Sequence, residues 1–270
     1  MTILQVFWLA IVQGITEFLP VSSSGHLILF AKFTDFPDQG LAMDIAVHIG
    51  SIMAVMIYFT KDIWKIITGV IKAKLIPSFA NEGSKLFWLI VVGSVPAAIV
   101  GYMLKNYGME WMRDTRVIGW NILIFGILLW LADKYTLSVR RIENLEVVDA
   151  LLIGLAQCLA LVPGTSRSGS TITMSRLLGV ERREAAKFCM LLSIPTIAGA
   201  GVLVFWQMYQ TGVKDFDFAY LGIIFSFIAS FCAIWVMMNW LKNRTFLPFV
   251  VYRVILGTFL LLYSYDILPF

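Results

Sequence analysis

Gln13 and Glu17 stand four residues apart, and Ser22, Ser23, Ser24, Gly25 and His26 follow directly after Pro20 and Val21. An i, i+4 spacing puts the amide and the carboxylate on one face of a helix. Oxygen donors on one face suit a hard divalent cation, Mg²⁺ or Ca²⁺, that keeps waters and takes substrate phosphate as a further ligand. Glu17 and Gln13 are therefore the expected metal ligands. The three serines and Gly25 make a hydroxyl-rich turn at a helix start, where backbone N–H groups favour an anion. A helix cap would need one serine, not three. His26 lies within reach of a hydroxyl or a phosphate oxygen, as a proton carrier would. The plain alternatives are a polar helix face and a structural histidine. The apolar setting weighs against them, because a carboxylate at mid-bilayer costs roughly 2.5–3.5 kcal/mol.

A second polar stretch carries the opposite charge. Arg167 sits between Ser166 and Ser168, with Gly164 and Gly169 on either side. A guanidinium matches phosphate geometry and stays charged at any relevant pH, and glycines let the backbone approach a ligand. Ser22, Ser24, Gly25, Ser166, Ser168 and Gly169 are the expected phosphate-binding positions. Glu17, Ser23, His26 and Arg167 are the expected catalytic ones.

The elements that must hold these residues are membrane helices. The chain of 270 residues is 59% hydrophobic and 14% charged, against about 25% charged in a soluble domain. The apolar residues fall in long runs, so an all-α polytopic membrane protein is expected. The first residues lack a basic region and a small-residue cleavage site, so no signal peptide is expected. The net charge of +4 is spread over loops and leaves no nucleic-acid footprint. Cys158, Cys189 and Cys232 lie in apolar runs and read as buried free thiols.

Pro20 and Gly25 break residues 1–35 into two apolar pieces, each too short to cross ~30 Å of hydrocarbon. A re-entrant pair of half-helices is expected there, admissible where it lines a cavity. Spans follow at about 43–60, 86–104 (with Pro96 as a kink) and 117–132. Residues 61–85, with Trp64 and several lysines, read as a surface-lying amphipathic helix. For Asp44 and His48, one turn apart near the first span's start, the plain reading is the membrane interface, and their role stays open.

After a polar connector the pattern restarts. A shift of 144 positions carries Gln13 onto Gln157, Ser22 onto Ser166, Ser24 onto Ser168 and Gly25 onto Gly169, with Arg167 on Ser23. The chain is thus expected to form one integral membrane domain: repeat one 1–135, a connector 136–148 and repeat two 149–270. Spans at about 187–207, 220–241 and 247–265 complete the second half. An odd number of crossings per half inverts one repeat relative to the other, with the broken helices meeting at the midplane.

Lys61, Lys65, Lys72, Lys74, Lys85, Lys134, Arg140, Arg141, Arg176, Arg182, Arg183, Lys187, Lys242 and Arg244 fall on one side; Lys32, Lys105, Arg113, Arg116 and Lys214 fall on the other. The richer side is expected to be cytoplasmic. Arg253, inside the last span, is expected either to snorkel or to pair with a buried acid such as Asp44 or Glu17, a structural partner being the preferred reading.

The Gln13–Glu17 pair, the Pro20–His26 run and the Pro163–Gly169 run together resemble the two signature motifs of the undecaprenyl-diphosphatase family, the bacitracin-resistance type of membrane phosphatase. The likeness extends over nearly the whole chain. It implies removal of one phosphate from a C55 polyprenyl diphosphate lipid in the bacterial plasma (inner) membrane, recycling the carrier for peptidoglycan and other cell-wall polymers, with the active site opening to the periplasmic or outer side. It carries the family's acidic motif onto Gln13 and Glu17, its serine and histidine onto Ser23 and His26, and its arginine onto Arg167. Some members have Glu at the position of Gln13, which leaves Glu17 as the stronger metal ligand. Ser23 as nucleophile and water as nucleophile both stay open, as does a homodimer. A different function on the same plan is a secondary transporter or flippase of a lipid phosphate or anion.

Overall fold

The computed structural model describes residues 1–34, 40–104, 110–211 and 217–267. Among these there are eleven α-helices and no strand. Six helices are long and apolar enough to cross a membrane: α3 (Gly40–Tyr58), α5 (Glu82–Leu104), α6 (Thr115–Tyr135), α9 (Arg182–Thr211), α10 (Ala219–Trp240) and α11 (Leu247–Ser264). They agree with the six expected spans to within a few residues. Their outward faces are apolar, as on α10, where Tyr220, Ile224, Ile228 and Trp235 are exposed. Such faces need a hydrocarbon solvent, and the chain is a multi-pass membrane protein.

Four of the five shorter helices form two hairpins. α1 (Ile3–Phe18) and α2 (Ser23–Phe33) pack on each other, and so do α7 (Val147–Cys158) and α8 (Arg167–Leu177). α1 begins on a capping box between Thr2 and Gln5 and ends at Leu19, whose extended backbone is what the following Pro20 imposes. At 16 residues α1 falls short of the ~20 needed to span.

Packing partners exchange between the halves. α1 lies against α10 as α7 lies against α5, and α3 against α10 as α9 against α5. Small residues permit the close approaches, as on membrane helix pairs generally. A Cβ at Gly50 of α3 would collide with the Ile223 carbonyl on α10. Ser51 of α3 bonds Ser226 at 2.9 Å and Ser230 at 3.0 Å across the same seam.

Six of the fourteen basic residues expected on one side, Arg141, Arg182, Arg183, Lys187, Lys242 and Arg244, line a single basin with Glu82, Glu143, Glu181 and Glu184. Beneath it Asp133 accepts from Arg176 at 3.0 Å, Arg182 at 2.7 Å and the Phe246 amide at 3.2 Å. Arg140 of the connector donates to Asp149, and that hydrogen bond raises the arginine's pKa above its ordinary value. Of the residues expected at the other end, Lys105 and Lys214 lie outside the described residues, as does the side chain of Lys32.

Two expectations need correction. The helix expected over 61–85 covers only α4 (Thr60–Lys72). Beyond it Lys74 and Leu75 take left-handed backbone and the chain turns into α5. Gly83 there sits against the Lys65 carbonyl, a contact that leaves no room for a Cβ. Cys232 is exposed on α10, whereas Cys189 is buried and Cys158 half-buried; all three are free.

Candidate active site

The two hairpin turns share one local geometry. Ser22 is the N-cap of α2 with φ 77°, and Ser166 is the N-cap of α8 with φ 74°. Non-glycine residues rarely adopt that region, and such strain collects at functional sites. Each serine hydroxyl accepts the amide of a glycine three residues on, Gly25 at 3.3 Å and Gly169 at 3.0 Å. The caps bring the starts of two helices to one cavity, lined by Ser23 and Ser24 of the first and by Ser166 and Arg167 of the second, a setting suited to an anion.

The turns meet. Ser168 Oγ donates to the Leu19 carbonyl at 2.8 Å. Arg253 of α11, fully buried, ties both to α6: it donates to the carbonyls of Pro20, Gly164, Thr165, Asn121 and Ile122. The acid expected as its partner is absent. No carboxylate lies within ion-pair distance of Arg253 among the described residues, because converging carbonyl dipoles from two turns and a helix take up its N–H groups instead.

Where the turns meet, Glu17 is the hub. Its Oε1 accepts from Arg167 Nη2 at 2.8 Å. Its Oε2 accepts from Ser23 Oγ at 2.7 Å and from Gln13 Nε2 at 2.8 Å. The Glu17 side chain is 6% exposed and that of Arg167 15%. A buried carboxylate persists when it is paired and hydrogen-bonded, and here both conditions hold. Gln13, Glu17, Ser23, Ser24, Ser166 and Arg167 line a cavity of about 590 Å³, with Ile197, Ala200 and Val204 of α9 on its apolar side. A hydroxyl held by a carboxylate beside a guanidinium is an arrangement for nucleophilic attack on a phosphorus centre.

Three groups of expected residues fall elsewhere. Ser22, Gly25, Ser168 and Gly169 shape the turns but do not line the cavity. His26 is not beside Ser23 Oγ. Its Nδ1–H donates to the Ser22 carbonyl at 2.6 Å, and its Nε2 faces the Tyr252 hydroxyl at 2.6 Å with the two rings stacked. The imidazole bonds back onto its own helix turn and outward to α11, which takes it off the cavity wall. In the second repeat Gln157 bonds Gly93 and Thr196, and Leu161 stands where the shift would place a second acid. The first turn thus supplies the acid and hydroxyl, the second the cation.

The sequence reading left the role of one neighbour open. His48 of α3 lines the same cavity, 3.2 Å from Gln13 Nε2 and 4.0 Å from Glu17 Oε2. Asp44 lines it too. The one signal available was their position in an apolar helix, the same signal that singled out Glu17.

The donor set fits a divalent cation with substrate completing the shell. Gln13 is fully buried, and its Oε1 has no hydrogen-bond partner. Such an acceptor calls for a partner. Glu17 Oε1 carries a single hydrogen bond, from Arg167. No group of three His, Cys, Asp or Glu side chains is spaced for a metal among the described residues, so a cation held here would need phosphate oxygens and waters for the rest of its shell, as Mg²⁺ takes them.

Comparison with known proteins places the chain in a family. The family described as Bacitracin resistance protein BacA matches residues 6–259. An undecaprenyl-diphosphatase of Roseobacter denitrificans is 44% identical over 98% of this chain and 100% of its own length. One from Alteromonas mediterranea is 43% identical over 97% and 98%, and undecaprenyl-diphosphatase 1 of Rhodospirillum rubrum is 43% identical over 100% and 99%. With a match over nearly its full length and the paired turns that the two motifs build, this chain belongs to the bacitracin resistance protein BacA family.

Proposed function

We propose that the protein is a membrane phosphatase that hydrolyses undecaprenyl diphosphate to undecaprenyl phosphate and inorganic phosphate, and thereby returns the carrier lipid to cell-wall synthesis and confers bacitracin resistance. The names of its relatives support the substrate. The observation that carries the chemistry is the bonded set Ser23–Glu17–Arg167 on the cavity wall.

The diphosphate enters the cavity while the polyprenyl tail stays in lipid. Ser23 Oγ attacks the terminal phosphorus and passes its proton to Glu17 Oε2, which it already contacts. The bond from that phosphorus to the bridging oxygen breaks, and undecaprenyl phosphate leaves. Water then attacks the phosphoserine, Glu17 returns the proton to Ser23 Oγ, and the water's own proton leaves with phosphate. Arg167 and the first N–H groups of α2 and α8 meet the charge on the phosphoryl oxygens. Glu17 and Gln13 Oε1 would hold a divalent cation, Mg²⁺ or Ca²⁺, which supplies further neutralisation of phosphate charge. In this scheme His26 is a positioning residue. Transport of the lipid would need no hydroxyl held on a carboxylate, so hydrolysis is the better account of Ser23.

The cavity includes Arg113, which precedes α6 at the end opposite the basic basin. By the positive-inside rule it opens to the outer face of the bacterial plasma membrane. The exchanged packing partners support two inverted repeats.

The test is phosphate release from undecaprenyl diphosphate by purified protein in detergent, with and without chelator. Release that needs the cation and vanishes in Ser23→Ala and Arg167→Ala supports the reading. A folded protein that releases no phosphate overturns it. Substantial turnover by Ser23→Ala would replace Ser23 attack with water attack.

A further inference from the structure

His48 is held in one tautomer. Its Nδ1 lies 2.7 Å from the Asp44 carbonyl, and a carbonyl only accepts, so Nδ1 carries the proton. In the neutral ring Nε2 then presents a lone pair. It points at the Gln13 amide, 3.2 Å away, and lies 4.0 Å from Glu17 Oε2. The Gln13 NH₂ stands between two electron-pair donors and gives one hydrogen to each, while its own Oε1 is buried without a partner.

This is the arrangement of a ligand set around a positive centre. A metal-binding histidine characteristically donates its other ring N–H to a backbone carbonyl, which fixes the ring and the tautomer. His48 has that bond already. The terminal amide of Gln13 has nearly the same shape after a half turn. The turn brings Oε1 to the place Nε2 now holds, between carboxylate and imidazole, where a cation would replace the two hydrogen bonds the NH₂ gives up. Glu17, Gln13 and His48 then face one point on the cavity wall, each from a helix: the first two from α1, the third from α3. The side chain of His48 is 34% exposed, so the point is open to the cavity.

We infer that His48 is a ligand of the cation through Nε2, with Glu17 and the Gln13 amide oxygen, and that this imidazole turns the site from Ca²⁺ toward first-row transition ions. Imidazole suits such ions, whereas Ca²⁺ takes oxygen. The inference rests on the cation of the proposed phosphatase, but its test reads metal binding without lipid or turnover, so the two can fail separately.

The probe is Mn²⁺ added to the purified full-length protein, made without a polyhistidine tag. The chain has two histidines, so labelling with ¹⁵N-histidine marks only these. Pulsed electron paramagnetic resonance of bound Mn²⁺ is expected to show nitrogen coupling whose frequencies change on ¹⁵N-histidine labelling. The coupling is expected to vanish in His48→Gln and to persist in His26→Gln. Ca²⁺ is expected to displace Mn²⁺ more readily from His48→Gln than from the native chain. Bound Mn²⁺ with no histidine coupling, coupling that survives His48→Gln, or no bound Mn²⁺ at all would each overturn the assignment. The native-chain labelling needs no substitution, so a folding defect in a variant does not blunt it.

Discussion

Ser22 and Ser166, 144 positions apart in the chain, hold the same left-handed backbone and cap their helices through the same bond to a glycine three residues on. The turns are copies in geometry but not in chemistry. Ser23 follows the first cap and Arg167 the second, so one backbone shape delivers a hydroxyl from one side of the cavity and a guanidinium from the other. Glu17 bonds both, at 2.7 Å and 2.8 Å.

The strained caps can be tested by paired substitutions. Ser22→Ala removes the cap and keeps a Cβ in the left-handed region; Ser22→Gly removes the cap and relieves the backbone. Losing an N-cap to alanine costs about 1 kcal/mol, to glycine only a few tenths. Ser22→Ala is therefore expected to lower stability by about 1 kcal/mol more than Ser22→Gly, and the Ser166 pair is expected to follow the same order. Thermal unfolding in detergent measures this. Equal losses for the two substitutions would remove the strain from the account.

Arg167 is expected to be irreplaceable by lysine. It donates to Glu17 through one N–H and to the Ser193 carbonyl through another, at 3.4 Å, which leaves further N–H groups for phosphate. Lysine offers a point charge without that fork. Removing a donor aimed at developing charge costs roughly 10²–10³ in kcat, and Arg167→Lys is expected to recover little of it. Steady-state rates with the purified variants decide, and near-native turnover in Arg167→Lys would show that charge alone suffices.

The spans and the two polar turns were legible because each has a strong local signal. Apolar runs of membrane length announce α3, α5, α6, α9, α10 and α11, and Pro20 and Gly25 announce the first break. Glu17, Ser23 and Arg167 were legible for the converse reason, as polar groups in apolar surroundings. What escaped the sequence reading depends on which way a side chain turns after the backbone is set. His26 and His48 are both lone histidines on apolar helices. A hydrogen bond to α11 takes the first away from the cavity, and the packing of α3 beside α1 brings the second in. Arg253 was misread because the usual partner of a buried cation is an acid, whereas here carbonyls from three chain segments converge on it. Such convergence exists only once the fold has formed.

Arg253 is accordingly expected to govern both stability and rate. Arg253→Met leaves buried carbonyls without donors, each worth about 1–3 kcal/mol. Arg253→Lys can satisfy fewer of the five than a guanidinium does. Both variants are expected to unfold earlier than the native protein by several degrees. The lysine variant, if folded, is expected to lose kcat more than it changes KM, because the turns that place Ser23 and Arg167 are loosened while the cavity stays open. A native melting temperature in Arg253→Met would contradict the clamp.

The role of His26 comes down to its bond with Tyr252. If the imidazole positions the α2 turn by bridging the Ser22 carbonyl to the Tyr252 hydroxyl, then Tyr252→Phe removes one anchor of the bridge and His26→Ala removes the whole. Phosphate release is expected to fall in both, by less than in Ser23→Ala, and the double variant is expected to be little worse than His26→Ala alone, since residues acting through one contact do not add. A proton carrier working directly on Ser23 would behave otherwise. Tyr252→Phe would then leave the rate nearly untouched, and His26→Ala would cost as much as the loss of a general acid–base, roughly 10²–10⁴. The double-mutant cycle separates the two, and the 2.6 Å contacts on both ring nitrogens favour positioning.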